Sequence, residues 1–384
     1  MTLSSLDILR RLIAFNTTSA LSNLELITYV RDLLADRGIA CEIIQSDDGR
    51  KANLFASVGP TATPGILLSG HTDVVPVEGQ QWSFPPFVAT VRDDKVYGRG
   101  SCDMKGFVAC ATALMLRAAN ERLTRPLHLA LSYDEEVGCI GVRRLLDHLH
   151  ISALRPLLCI VGEPTQMHVA LGHKGKTTLR AHCHGHEGHS SLAPHFPNAI
   201  HLAADFVGLL RATQSRLVES GAHDPAYDVP YTTVHVGKIN GGTALNIVPN
   251  SCTVDFEIRN LPDDDARRIV ETLREQAEAV AQSASKPAKT TRIEVDQLND
   301  YPGLDTSPTI EAVRFIGKLL PASDSHGKVA FGTEGGLFAQ RLDVPVIVCG
   351  PGSIEQAHKP DEYISLGQLN ACDAFLERLL TSIR

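Results

Sequence analysis

Short runs that are apolar on both faces alternate with longer helical stripes through the first 175 residues. Leu6, Leu9 and Ile13 recur at helical spacing, and 24–37 reads as a second helix closed by Gly38. Strands are predicted at 41–44, 53–58, 66–69, 127–132 and 157–161, and a long apolar helix over 104–120. Runs such as GILLSG and LLCIVG have no polar face, as expected of strands covered by helices on both sides. The pattern predicts an α/β layer architecture.

From residue 176 to 299 the rhythm changes. It reads strand (177–184), helix (198–220), strand (232–238), strand (251–259), helix (263–283) and strand (290–298). That βαββαβ order is the ferredoxin-like unit. Asp263, Asp264 and Asp265 favour the positive start of its second helix, and Ile269, Leu273, Ala277 and Val280 form one apolar stripe. After the turn-rich NDYPGLDTSP the α/β pattern resumes, with a helix near 309–320 and a buried strand at 344–348. The expected organisation is therefore an α/β domain made of 1–175 and 300–384, with an α+β unit of 176–299 inserted into it.

A chain of 384 residues agrees with two to three domains at about 150 residues each. Its net charge of -8 and lack of any basic run argue against nucleic acid as a partner. No apolar run approaches the ~20 residues of a membrane span, and Asp7, Arg10 and Arg11 break up any secretory h-region. Nine cysteines without a C-x-x-C pair fit reduced thiols, so a cytoplasmic location is expected.

Five potential metal ligands follow predicted strands: His71 in LLSGHTDVVPV, Asp103 in YGRGSCDMKGF, Glu136 in LALSYDEEVGCIG, Glu163 in LLCIVGEPT, and His358 in GPGSIEQAHKPDEY. Open α/β sheets collect ligands at the carboxyl ends of their strands, and two imidazoles with three carboxylates suffice for two divalent cations. Each residue alone has a plainer reading. Asp103 precedes a helix and could cap it, His71 could face solvent, and Asp134, Glu135 and Glu136 could be surface acids. Asp73, two residues after His71, is suited to fix the imidazole tautomer.

Other patterns are weaker. GHKGKT lacks the earlier glycine of a phosphate loop and precedes a strand, and HEGH is one residue short of H-E-x-x-H. In AHCHGHEGHSS, His182 and His184 share one alternating face with Lys176, Thr178 and Arg180, so a solvated polar face competes with a metal-storage or sensing site. His189 lies beyond that strand. No G-x-S-x-G elbow is present, and Cys102 has no evident base.

Together these motifs, with FGTEGG and GHKGK, resemble the co-catalytic zinc family of acetylornithine deacetylase, succinyl-diaminopimelate desuccinylase, aminoacylase and glutamate carboxypeptidase. The resemblance covers nearly the whole chain and is strongest to the acetylornithine deacetylase branch. It implies a zinc-exopeptidase-like catalytic domain with an inserted dimerisation domain, and hydrolysis of N2-acetyl-L-ornithine to ornithine and acetate. It further implies two divalent cations, zinc first and cobalt or manganese as alternatives. Asp103 would bridge them, with His71 and Glu163 on one and Glu136 and His358 on the other. Asp73 would orient His71, and Glu135 would be the general base acting on the bridging water. His189 would reach a partner subunit's active site, and Asn246 and Arg259 would bind substrate. Glu334, an acid in an approachable glycine-rich loop, could meet a distal ammonium. A broader N-acyl-amino-acid amidohydrolase, a desuccinylase or a dipeptidase remain alternatives on the same scaffold, as does a protein that keeps the metals structurally.

Overall fold

A computed structural model describes residues 3–152, 154–287, 289–320 and 327–384. The chain divides into two compact units: Met1–Gly172, Leu304–Val329 and Thr333–Arg384 form the first, and His173–Gly303 with Ala330–Gly332 form the second.

The first unit is built on a nine-stranded mixed sheet. Its centre is four adjacent parallel strands in the order Leu127–Ser132, Ile66–His71, Leu158–Pro164 and Val346–Gly350. All four are buried along their whole length, which accounts for their lack of a polar face. Antiparallel strands Cys41–Gln45 and Ala52–Val58 extend one side. The Lys105–Ala118 helix is buried on all sides except at Arg117, as a helix between a sheet and other helices should be. It runs so close to the sheet that a Cβ on Gly162 would lie 1.9 Å from the Phe107 ring. Only glycine fits there, immediately before Glu163. A small antiparallel sheet joins Thr90–Arg92, Lys95–Tyr97 and Tyr363–Ser365.

The second unit has the βαββαβ order read from the sequence. Its antiparallel sheet runs Thr233–Gly241, Ser251–Asn260, Gly175–His184, Arg292–Tyr301. Leu179, Ala181 and Cys183 of one strand and Val254, Phe256 and Ile258 of its neighbour form a core with helices Ala199–Ser220 and Ala266–Ala284. Asp265 caps the second helix through the N–H groups of Arg267 and Arg268. Among the described residues no helix is long and apolar enough to cross a membrane.

Candidate metal centre

The four parallel strands bring their carboxyl ends to one edge, and the candidate ligands gather there. His71 ends its strand, Glu163 lies at the end of the Leu158–Pro164 strand, and Glu135 and Glu136 follow the Leu127–Ser132 strand after Tyr133 and Asp134. His358 comes from the loop after Val346–Gly350. Asp103 arrives from the loop before the Lys105–Ala118 helix. It does not cap that helix: the cap position is Met104, without a side-chain hydrogen bond. The Asp103 carboxylate turns inward instead, with Oδ1 3.1 Å from His71 Nε2 and Oδ2 3.3 Å from His358 Nε2.

Around this carboxylate, His358 Nε2 is 3.0 Å from Glu136 Oε2 and His71 Nε2 is 3.8 Å from Glu163 Oε1. His71, Glu135 and Glu163 each offer one ligand atom within 4.8 Å of the others, and so do His71, Asp103 and Glu136. His71, Asp103 and Glu163 are buried, whereas His358 is 52% exposed at its side chain.

Packing so many acids together perturbs all of them. Burial, then the Asp103 carboxylate, push Glu163 well above the usual carboxylate range. Burial raises Glu135 strongly against the opposing pull of His71, with Glu136 and Glu334 adding to the rise. Glu136 is pushed up to about 7 by burial and by Asp103. Burial opposes charge on His71, but Asp103, Glu163 and Glu135 outweigh it and hold the imidazole well above its ordinary value. Hydrogen bonds to Asp103 and Glu136 raise His358 to about 10. Among the described residues no lysine or arginine pairs with Asp103, Glu136 or Glu163. A buried carboxylate group short of positive charge, with imidazoles between, is a donor set suited to divalent cations.

Asp73 works differently from the sequence expectation. His71 Nδ1 is 2.9 Å from the Asp73 main-chain oxygen but 3.6 Å from its carboxylate, so the backbone holds the imidazole. The carboxylate accepts the N–H of Glu135 at 3.0 Å and of Glu136 at 3.3 Å, and the Ser19 hydroxyl at 2.7 Å. It therefore shapes the loop carrying both glutamates.

Glu334 also differs from expectation. It is 1% exposed, not in an open loop, and stands just before the Gly335–Leu342 helix. Burial raises its carboxyl to about 7, with the Ser132 hydroxyl pulling the other way.

Three expected residues lie in the second unit. His189 belongs to a two-residue strand paired with Ile247–Val248; its Nδ1 is 2.8 Å from Ser191 Oγ, and among the described residues Nε2 has no partner. The exposed Asn246 accepts the Ser190 N–H through its main-chain oxygen. Arg259 donates Nε to Glu257 at 3.0 Å and NH1 to the Tyr301 hydroxyl at 3.3 Å. His182 and His184 lie beside Asp296 and Glu294 on the half-buried polar face of their strand, and among the described residues they form no cluster able to hold a metal.

Sequence reasoning missed a buried ion pair behind Asp103. Arg99 NH1 donates to Glu362 Oε2 at 2.7 Å, and both side chains are 1% exposed. Glu362 also accepts the main-chain N–H of Gly100, Cys102 and Asp103. One letter of sequence does not distinguish such a pair from surface charges, since the partners are 263 positions apart.

A parallel sheet whose carboxyl edge gathers acids and imidazoles is the frame of a metal-dependent hydrolase, and with residues 67–382 matching peptidase family M20/M25/M40, the chain belongs to that family. Two relatives are close over nearly their full length. Acetylornithine deacetylase of Pasteurella multocida is 34% identical over 98% of this chain and 97% of its own. That of Shigella sonnei is 36% identical over 94% and 92%. The fold is similar to an M20 family metallo-carboxypeptidase from Sulfolobus solfataricus, with TM-score 0.79, 19% identity and 98% coverage of both chains. It is also similar to a dinuclear metal-binding M20 peptidase of Bacillus subtilis, with TM-score 0.70, 15% identity and coverage of 99% and 97%.

Proposed function

We propose that this chain hydrolyses N2-acetyl-L-ornithine to L-ornithine and acetate, with Glu135 as general base. One observation carries the chemistry. Glu135 places a carboxylate oxygen within 4.8 Å of ligand atoms of His71 and Glu163, at the same sheet edge as the candidate ligands, and its burial favours the protonated form. The substrate rests on the two acetylornithine deacetylases that share about a third of their sequence with this chain.

The donor set fits two divalent cations, with Asp103 shared, His71 and Glu163 on one side and Glu136 and His358 on the other. Bound there, they would supply Lewis-acid chemistry, making water more acidic and polarising the acyl carbonyl. The protein's own part is proton movement and orientation. A Glu135 oxygen takes a proton from the attacking water and returns it to the leaving amine. The Cys139 thiol donates to Glu135 Oε1 at 3.5 Å, and Asp73 fixes the glutamate's backbone. Arg259 keeps N–H donors beyond the two it has committed, enough to receive a substrate carboxylate, and Asn246 has an exposed amide for the same purpose. His189, whose Nε2 has no partner among the described residues, is proposed to stabilise the developing oxyanion from a partner subunit in a homodimer.

Ornithine release from N-acetylornithine, with and without chelator, tests this directly. The expected result is metal-dependent turnover exceeding that on succinyl, formyl and peptidyl amino acids. Metal-dependent turnover that favours another of these amides would replace the substrate and keep the chemistry.

A further inference from the structure

Glu362 is a carboxylate with four donors and no evident part in hydrolysis. Its Oε1 accepts the N–H of Cys102 at 2.9 Å and of Asp103 at 3.1 Å, while Oε2 accepts Gly100 N–H at 2.9 Å and Arg99 NH1 at 2.7 Å. The loop so held contains Gly98 at φ 154° and Gly100 at φ 78°. Glycine in that region has little conformational preference of its own, so the carboxylate supplies the order that the loop lacks.

The other end of the pair reaches the opposite ligand. Arg99 NH2 donates to Gln80 Oε1 at 2.6 Å, and Gln80 Nε2 donates to the His358 main-chain oxygen at 2.9 Å. Arg99 NH1 also lies 3.3 Å from the Lys359 carbonyl, and the guanidinium sits 5.0 Å from the Trp82 ring centroid. A continuous chain of hydrogen bonds thus joins the Asp103 amide, Glu362, Arg99, Gln80 and the His358 carbonyl.

We infer that the buried Arg99–Glu362 pair, extended by Gln80, is a positioning device that holds Asp103 and His358 at the separation two cations require. This rests on the metal-centre reading above. Geometry and charge act together in it. Glu362 adds a negative charge behind Asp103, and Arg99, on the far side of Glu362, makes burying that charge tolerable. Glutamine at position 362 keeps one acceptor oxygen but turns its amide NH2 towards the Gly100 N–H and Arg99, so two ties break and the charge goes.

The test uses full-length protein stripped of metal and titrated with Co2+, followed by calorimetry and by the visible cobalt absorption. Wild type is expected to take two ions per chain. Glu362→Gln should keep its far-UV circular dichroism, bind at least one ion about 10–100-fold more weakly, and show an altered cobalt band. Unchanged affinities and an unchanged band overturn the inference while leaving the metal centre standing. A wild-type protein that does not take two ions overturns both. Gln80→Leu leaves the buried pair intact and decides the matter if Glu362→Gln does not fold. One ion weakened and the other unchanged supports the device, and two unchanged ions overturn it.

Discussion

His71 and His358 address opposite oxygens of one carboxylate: the first lies 3.1 Å from Asp103 Oδ1 and the second 3.3 Å from Oδ2. In the proposed centre, this arrangement lets Asp103 serve both cations. Asp103→Asn removes the shared charge, so both ions should be lost. Metal content after dialysis should fall from two equivalents towards zero for Asp103→Asn, but only towards one for His358→Ala. Equal losses in the two variants would contradict a shared ligand.

Glu135 is assigned to proton transfer, so its loss should spare metal binding. Glu135→Ala is expected to lower kcat by about 10²–10⁴-fold, the usual worth of a general base, with both ions retained. Loss of an ion in this variant would make Glu135 a ligand instead.

Asp73 acts on the glutamate loop through its carboxylate and on His71 through its backbone. Asp73→Asn should therefore destabilise the protein by about 1–3 kcal/mol, the cost of leaving buried groups unpaired, and reduce kcat. Affinity for the ion at His71 should change far less than in His71→Ala. A comparable drop in the two variants would restore the carboxylate as the partner of the imidazole.

Two buried histidines outside the candidate ligand set define an acid limit. Burial lowers both His128 and His173 to about 4, from an ordinary 6.5. The unfolded chain binds these protons first as pH falls, so stability is full above about 6.5. It declines through the window down to about 4, by up to about 3 kcal/mol for each histidine. In chelated protein, His128→Gln should flatten the fall of the thermal midpoint between pH 6.5 and 4. An identical slope would mean that His128 titrates normally.

Of the nine cysteines, eight are buried and only Cys41 is partly open. Burial raises the Cys41 thiol to about 11. A thiol reagent at neutral pH should label the folded protein slowly at one position and the denatured protein at nine. Rapid labelling of several thiols in folded protein would show that the core opens readily.

The central strands were legible because 66–71, 127–132 and 158–164 are predominantly apolar on both faces, with the candidate ligands at or just beyond their ends. The Leu366–Ser382 helix also left a readable signal, with Ser365 capping it and Leu369, Cys372 and Leu376 on its buried face. The sequence reading nevertheless placed nothing there. Gly141–Ile151 and Gly335–Leu342 were harder, since each starts at glycine without a side-chain cap and depends on packing to form. Glu334 looked open because glycines surround it, yet its burial follows from distant strands. Asp103 reads identically as cap or ligand, and only the imidazoles 32 positions before it and 255 positions after it decide.

The Val346–Gly350 strand joins the parallel group only through residues far along the chain, and the loop beyond it carries His358 and Glu362. A growing polypeptide can therefore have His71, Asp103, Glu135, Glu136 and Glu163 in hand and still lack both the second imidazole and the tie behind Asp103. For the proposed metal centre, a chain halted before residue 346 would present acids without their closing partners, and completion of the site waits on the last segment to be made.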